Sequence, residues 1–166
     1  MFSLSASANS RLNTKPGTEK LHINAALAKP LFSSVQQLQQ RFNNYCKQAA
    51  TNLHINSFSA SKESRHIQEC SIGAGKTIHT YTDDKSGAVT KIIAELQPGK
   101  GKLSQNRQYL QAIISAADTT LTADNIARIA RFAETGTKAE ADTTVNGIRY
   151  FATAKGKNLM FGVKRK

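Results

Sequence analysis

The sequence predicts an α+β fold, an antiparallel sheet of about five strands with helices packed on one face, in the order α-β-β-β-α-α-β-β. Three observations carry this. Residues 31–53 place an apolar side chain every three or four positions, the period of a helix. Residues 67–96 alternate apolar and polar side chains between clusters of glycine and aspartate, the mark of strands joined by turns. Two more helical stripes then precede a closing hairpin rich in lysine and arginine.

The elements follow in order. Residues 1–29 read as a flexible N-terminal arm, rich in Ser, Asn, Thr and Ala and broken by Pro16-Gly17; residues 30–166 read as one domain. The run Leu4-Ser5-Ala6-Ser7-Ala8 ends in a small-x-small pattern, either the vestige of an export signal or a plain Ser/Ala-rich end. Pro30 leads into a helix expected over Ser33–Thr51, with Leu31, Val35, Leu38, Phe42, Tyr45, Ala49 and Leu53 on one face and Ser33 or Ser34 as cap. Strands are expected over 67–72, 76–82 and 88–96. The first two are joined by Gly73-Ala74-Gly75, the last two by Thr82-Asp83-Asp84-Lys85-Ser86-Gly87. In the third strand Ala88, Thr90, Ile92, Ala94 and Leu96 form the cleaner buried set.

A loop, Pro98-Gly99-Lys100-Gly101-Lys102, leads to a helix that Ser104 can cap, with Tyr109, Leu110, Ile113, Ile114 and Ala117 facing inward. The next helix has Thr122 as cap, Asp124 in its first turn against the helix dipole, and Gly136 as its stop. After a polar loop to Thr144, a hairpin pairs 145–154 with 159–164 through Lys155-Gly156-Lys157-Asn158.

Motifs for catalysis fall away one by one. Gly73-Ala74-Gly75-Lys76-Thr77 suggests a phosphate loop, but Cys70 stands where the first glycine belongs and a strand follows instead of a helix. His22, His54, His66 and His79 form no metal-ligand spacing with the cysteines or acids. Asp83-Asp84 reads as a turn pair and no Gly-x-Ser-x-Gly elbow occurs. The sequence therefore implies no catalytic centre, no metal and no cofactor. No run reaches the roughly 20 apolar residues of a membrane span.

Cys46 and Cys70 can form one disulfide or remain as buried thiols; the bridge is expected, closing the first helix onto the strand that carries Cys70.

Charge points to a partner. Lys and Arg number 23 against 11 Asp and Glu, a net charge of +12. Such a balance favours an anionic partner, protein or nucleic acid. The candidate binding residues are Lys100, Lys102 and Ser104, where lysines flank a helix start, and Arg149, Lys155, Lys157, Lys164, Arg165 and Lys166 in the closing hairpin, which has no acid from Thr143 onward. Tyr150, Phe151 and Phe161 interleave with these cations as in single-strand binders, yet strand aromatics more often fill cores.

Phe42-Asn43, Cys70, Tyr81-Thr82-Asp83, Lys85-Ser86-Gly87-Ala88-Val89, Leu121-Thr122, Asn146-Gly147-Ile148-Arg149-Tyr150 and Phe161-Gly162-Val163 give the stretch 30–166 a diffuse likeness. It resembles small exported bacterial helix-on-sheet proteins of unassigned function. That resemblance implies export, to the periplasm or beyond, and a binding role without an active site. The resulting expectation is a non-catalytic inhibitor or immunity-type protein for an acidic partner. The alternative is a nucleic-acid-binding protein using the loop 98–104 and the hairpin.

Overall fold

The computed structural model describes residues 29–166. The expected arm over 1–29 lies outside the described residues except for Lys29, as do the run 4–8 and His22.

Helix α1 spans Val35–Gln48 and is capped by Ser34, whose hydroxyl accepts from the Gln37 N–H at 3.1 Å. Val35, Leu38, Phe42 and Cys46 are buried along its inner face; Ala49, beyond its end, is exposed. The strands that follow are β1 (Ser59–Ala60), β2 (Ile67–Ser71), β3 (Lys76–Thr82) and β4 (Val89–Leu96). Helices α2 (Leu103–Ala117) and α3 (Ala123–Glu134) come next, the latter running into a short 3-10 turn, Thr135–Thr137. The chain closes with β5 (Ala141–Val145), β6 (Ile148–Lys155) and β7 (Asn158–Arg165).

All seven strands join one antiparallel sheet in the order β1-β2-β3-β4-β7-β6-β5. The α+β class and antiparallel sheet are as the sequence predicts, but the sheet has seven strands where about five are expected. The additional strands are β1 and β5. β5 occupies the stretch expected as polar loop, because Asn146-Gly147 closes a two-residue hairpin onto β6. Both turn residues have positive φ, 54° and 77°, as such a turn demands.

One face of the sheet makes the core. Ile78, Ile92, Ala94, Leu96, Leu159, Phe161, Val163, Ile148, Tyr150 and Ala152 face the helices and are buried with Leu38, Phe42, Tyr109, Leu110, Ile113, Ile129 and Ala133. Thr90 is exposed, not buried. The pairing slips between Tyr81 and Thr82, so Tyr81 meets Lys91 and Thr82 meets Val89. Thr90 falls in the irregularity and its hydroxyl donates to the Tyr81 carbonyl at 3.1 Å. Thr122 caps α3 as expected. Ser104 does not cap α2, which begins two residues earlier than such a cap would set, with Lys102 at its cap position.

Cys46 and Cys70 are not bridged; both are free and buried. Cys46 sits on the inner face of α1, whereas Cys70 lies against the Asn56–Ser57 segment and Tyr109. Burial pushes the Cys46 thiol up to about 11 and raises that of Cys70, so each behaves as a small apolar side chain.

Candidate functional site

Alternation along each strand turns a second set of side chains to the other face of the sheet. There Ile67, Tyr81, Ile93, Phe151 and Met160 are half-buried, and none of them belongs to the core. No described helix covers this face.

Register fixes what stands beside what. Tyr81 on β3 pairs with Lys91 on β4, Lys91 with Lys164 on β7, and Lys164 with Arg149 on β6. The four residues form one row across four adjacent strands, about 14 Å from first to last at the usual strand spacing. Lys91 Nζ lies 4.2 Å from the centre of the Tyr81 ring. The Arg149 guanidinium lies 4.9 Å from that of Phe151 and donates through Nε to Asp142 at 2.9 Å. That contact holds the Asp142 carboxyl below its ordinary value. The row thus begins at the Tyr81 ring with Lys91 over it and ends at Arg149, which lies over the Phe151 ring of the next row.

The Phe151 ring lies flat across the neighbouring strand. A side chain on Gly162 would collide with that ring, and the glycine is buried beneath it. Glycine at 162 is therefore what lets the ring lie down and present its outer surface.

The adjacent row runs Glu69–His79–Ile93–Gly162–Phe151, and Glu95 stands one row further on. His79 stands between Glu69 and Glu95, its Nδ1 4.0 Å from the one and its Nε2 3.9 Å from the other. Glu95 also accepts from Asn158 at 2.7 Å. The two histidine separations exceed hydrogen bonds. Among the described residues no cluster of three or more His, Cys, Asp and Glu is placed to hold a metal ion.

At its end the basic row opens into a cleft of about 590 Å³ lined by Lys29, Thr90, Asn146, Gly147, Lys164, Arg165 and Lys166, with no acidic side chain among them. Its wall is set by hydrogen bonds. The Lys166 N–H donates to the Gly147 carbonyl at 2.9 Å, Arg165 Nε to the Pro30 carbonyl at 3.1 Å, and Asn146 Nδ2 to Asp118 at 2.9 Å. Asp118 is buried, which opposes its ionisation, but the bonds from Thr120 and Asn146 outweigh this and hold its carboxyl below the ordinary value.

The sequence-derived binding residues divide between two ends of the sheet. Arg149, Lys164, Arg165 and Lys166 meet at the open row and cleft, which Lys91, Tyr81 and Lys29 complete. Lys155 and Lys157 flank the β6–β7 turn at the far end, where Leu96 pairs with Leu159 and the loop carrying Lys100, Lys102 and Ser104 begins. Of the three aromatics singled out, Tyr150 and Phe161 are core and only Phe151 is on the open face. Tyr81 and Lys91 are absent from the sequence-derived binding residues because a half-buried strand shows its period but not which of its faces is covered.

Fold and face together define a helix-backed antiparallel sheet whose uncovered side carries cations, aromatic rings and the carboxylates Glu69, Glu95 and Asp142. No family model matches the chain, and searches of curated proteins and of solved structures find no similar protein. No described helix is long and apolar enough to cross a membrane.

Proposed function

We propose that the protein is a non-catalytic binding protein whose open sheet face docks a single-stranded nucleic acid. The observation that carries this reading is the row Tyr81–Lys91–Lys164–Arg149, ending against the Phe151 ring and opening into a cleft without acidic side chains. A disulfide and the lack of an exposed stacking platform would favour an acidic protein partner. The thiols are free, and Tyr81 and Phe151 supply rings on the uncovered face. Bases stack on such rings whatever their sequence, while cations follow the backbone. Lys91 lies over the Tyr81 ring in the free protein and turns to phosphate when a base takes its place, whereas Arg149 stays paired with Asp142 beside the Phe151 ring. The net charge of +12 draws the polyanion in.

A folded acidic protein is the second reading, favoured by the apolar centre of the face at Ile93, Met160 and Phe151. The export and inhibitor or immunity-type role rest on the resemblance and on a charge of +12 without a recognisable catalytic motif.

Titration of labelled single-stranded DNA and RNA at several salt concentrations separates the two. Single-strand docking through three to five phosphates gives a log–log salt slope of about −2 to −3.5. Replacing Tyr81 and Phe151 by Ala should weaken binding by about tenfold or more, since each stacked base contributes on the order of 1–3 kcal/mol. Affinity no greater than that of an unrelated protein of equal charge, or indifferent to both substitutions, rejects the proposal in favour of the second reading.

A further inference from the structure

The sheet end opposite the cleft brings together two glycine–lysine segments that are distant in sequence. Lys76, at the start of β3, is 2% exposed, and its Nζ donates to the Ala74 carbonyl at 3.2 Å. Beside it the Gln97 N–H donates to the Gly75 carbonyl at 2.8 Å, and a side chain on Gly75 would press on Gln97 and Lys100. The hairpin turn before β3 and the loop before α2 are thus packed together.

Gly101, at φ +80°, lies at their junction, where the Lys76 ammonium crowds the place a Cβ would take. A Cβ built there would stand 3.1 Å from Lys76 Nζ, 3.6 Å from Asn106 Oδ1 and 3.9 Å from Gln105 Oε1. Asn106 is 4% exposed and its Oδ1 has no hydrogen-bond partner. Helix α2 starts at the same place. Its cap residue Lys102 makes no side-chain bond to the first turn, which contains no acid.

Two positive features therefore adjoin: a buried ammonium without a carboxylate partner among the described residues, and the uncapped N-terminus of a 15-residue helix. A buried charge is costly unless paired, and a helix start attracts anions. Lys100 and Lys102 add to the same field. We infer that this junction binds a tetrahedral oxyanion of the phosphate class, with Lys76 as counter-charge, the Leu103, Ser104 and Gln105 N–H groups as donors, and Asn106 Oδ1 accepting from a protonated phosphate oxygen. Lys100, Lys102 and Ser104 are the anion binders expected from the sequence, and this inference adds Lys76 and Asn106 to them. It lies about 20 Å along the strands from the basic cleft and does not depend on the open face.

The test is an amide shift titration of the isotope-labelled full chain with inorganic phosphate, against chloride at matched ionic strength. Phosphate alone should give saturable shifts at Leu103, Ser104 and Gln105. Lys76→Met should weaken that response about tenfold, the usual cost of losing a charged hydrogen bond. Leu103→Pro removes one donor at a first helical position that suits proline, so it keeps the fold. It should weaken binding severalfold and stands in for Lys76→Met if that variant does not fold. A short oligonucleotide with and without a 5′-phosphate identifies the source. The same shifts with the phosphorylated form only assign a terminal phosphate, and shifts with inorganic phosphate only assign the free ion. Equal shifts in phosphate and chloride, or unchanged affinity in the folded variants, overturn the inference.

Discussion

Two buried tyrosines show opposite solutions to the same problem. The Tyr109 hydroxyl donates to the Thr77 carbonyl at 2.9 Å, tying α2 to β3, with the Glu95 carbonyl 3.2 Å away. Tyr150 stacks on Phe161, ring centres 6.3 Å apart, but its buried hydroxyl has no partner. A buried hydroxyl without a hydrogen bond costs on the order of 1–3 kcal/mol. Tyr150→Phe should therefore leave stability unchanged or raise it by about 1 kcal/mol in denaturant unfolding. A loss of similar size would mean that the hydroxyl holds a bound water or another partner. Neither tyrosine's role was legible in the sequence, since helix and strand periods place a ring inward without saying what its hydroxyl meets. The cysteines carry the same lesson. Both were readable as inward-facing, but burial on α1 and β2 does not make two thiols neighbours, and they remain free.

Among the elements, β5 and its turn do most to shape the cleft. Asn146 and Gly147 both adopt positive φ, and the turn is tied to Asp118 through Asn146 and to Lys166 through the Gly147 carbonyl. An L side chain in that conformation costs roughly 1–2 kcal/mol. Gly147→Ala should lower stability by about that amount, while Gly99→Ala, at a position with open space and no positive φ, should be near neutral. Equal effects in thermal unfolding would mean that the turn is not the strained type assigned here. The Asn-Gly pair was the available sign of this hairpin, but the threonines and acid of β5 read as loop because its edge strand buries only Ala141 fully. The irregularity at Thr90 had no sign at all: a pairing slip depends on the partner strand, which simple alternation ignores.

The helix-on-sheet architecture as a whole was legible, because each helix and most strands carry clear periods and the turns carry glycine or aspartate where the backbone needs them. The site was legible only in part. Lys164, Arg165, Lys166 and Arg149 stood out by charge, yet their assembly with Lys91 and Tyr81 depends on β7 inserting between β4 and β6, a long-range pairing that no local pattern encodes. That insertion places two strand cations from distant sequence side by side and leaves their face uncovered. A backbone amide shift map of the isotope-labelled chain with a short oligothymidylate lacking a terminal phosphate examines this surface residue by residue. The account requires saturable shifts at Tyr81, Lys91, Phe151, Arg149 and Lys164, with Gly147 at the cleft responding and α1 and α3 silent. Shifts confined to the helices or to the loop at 98–104, with the open face unmoved, would contradict it.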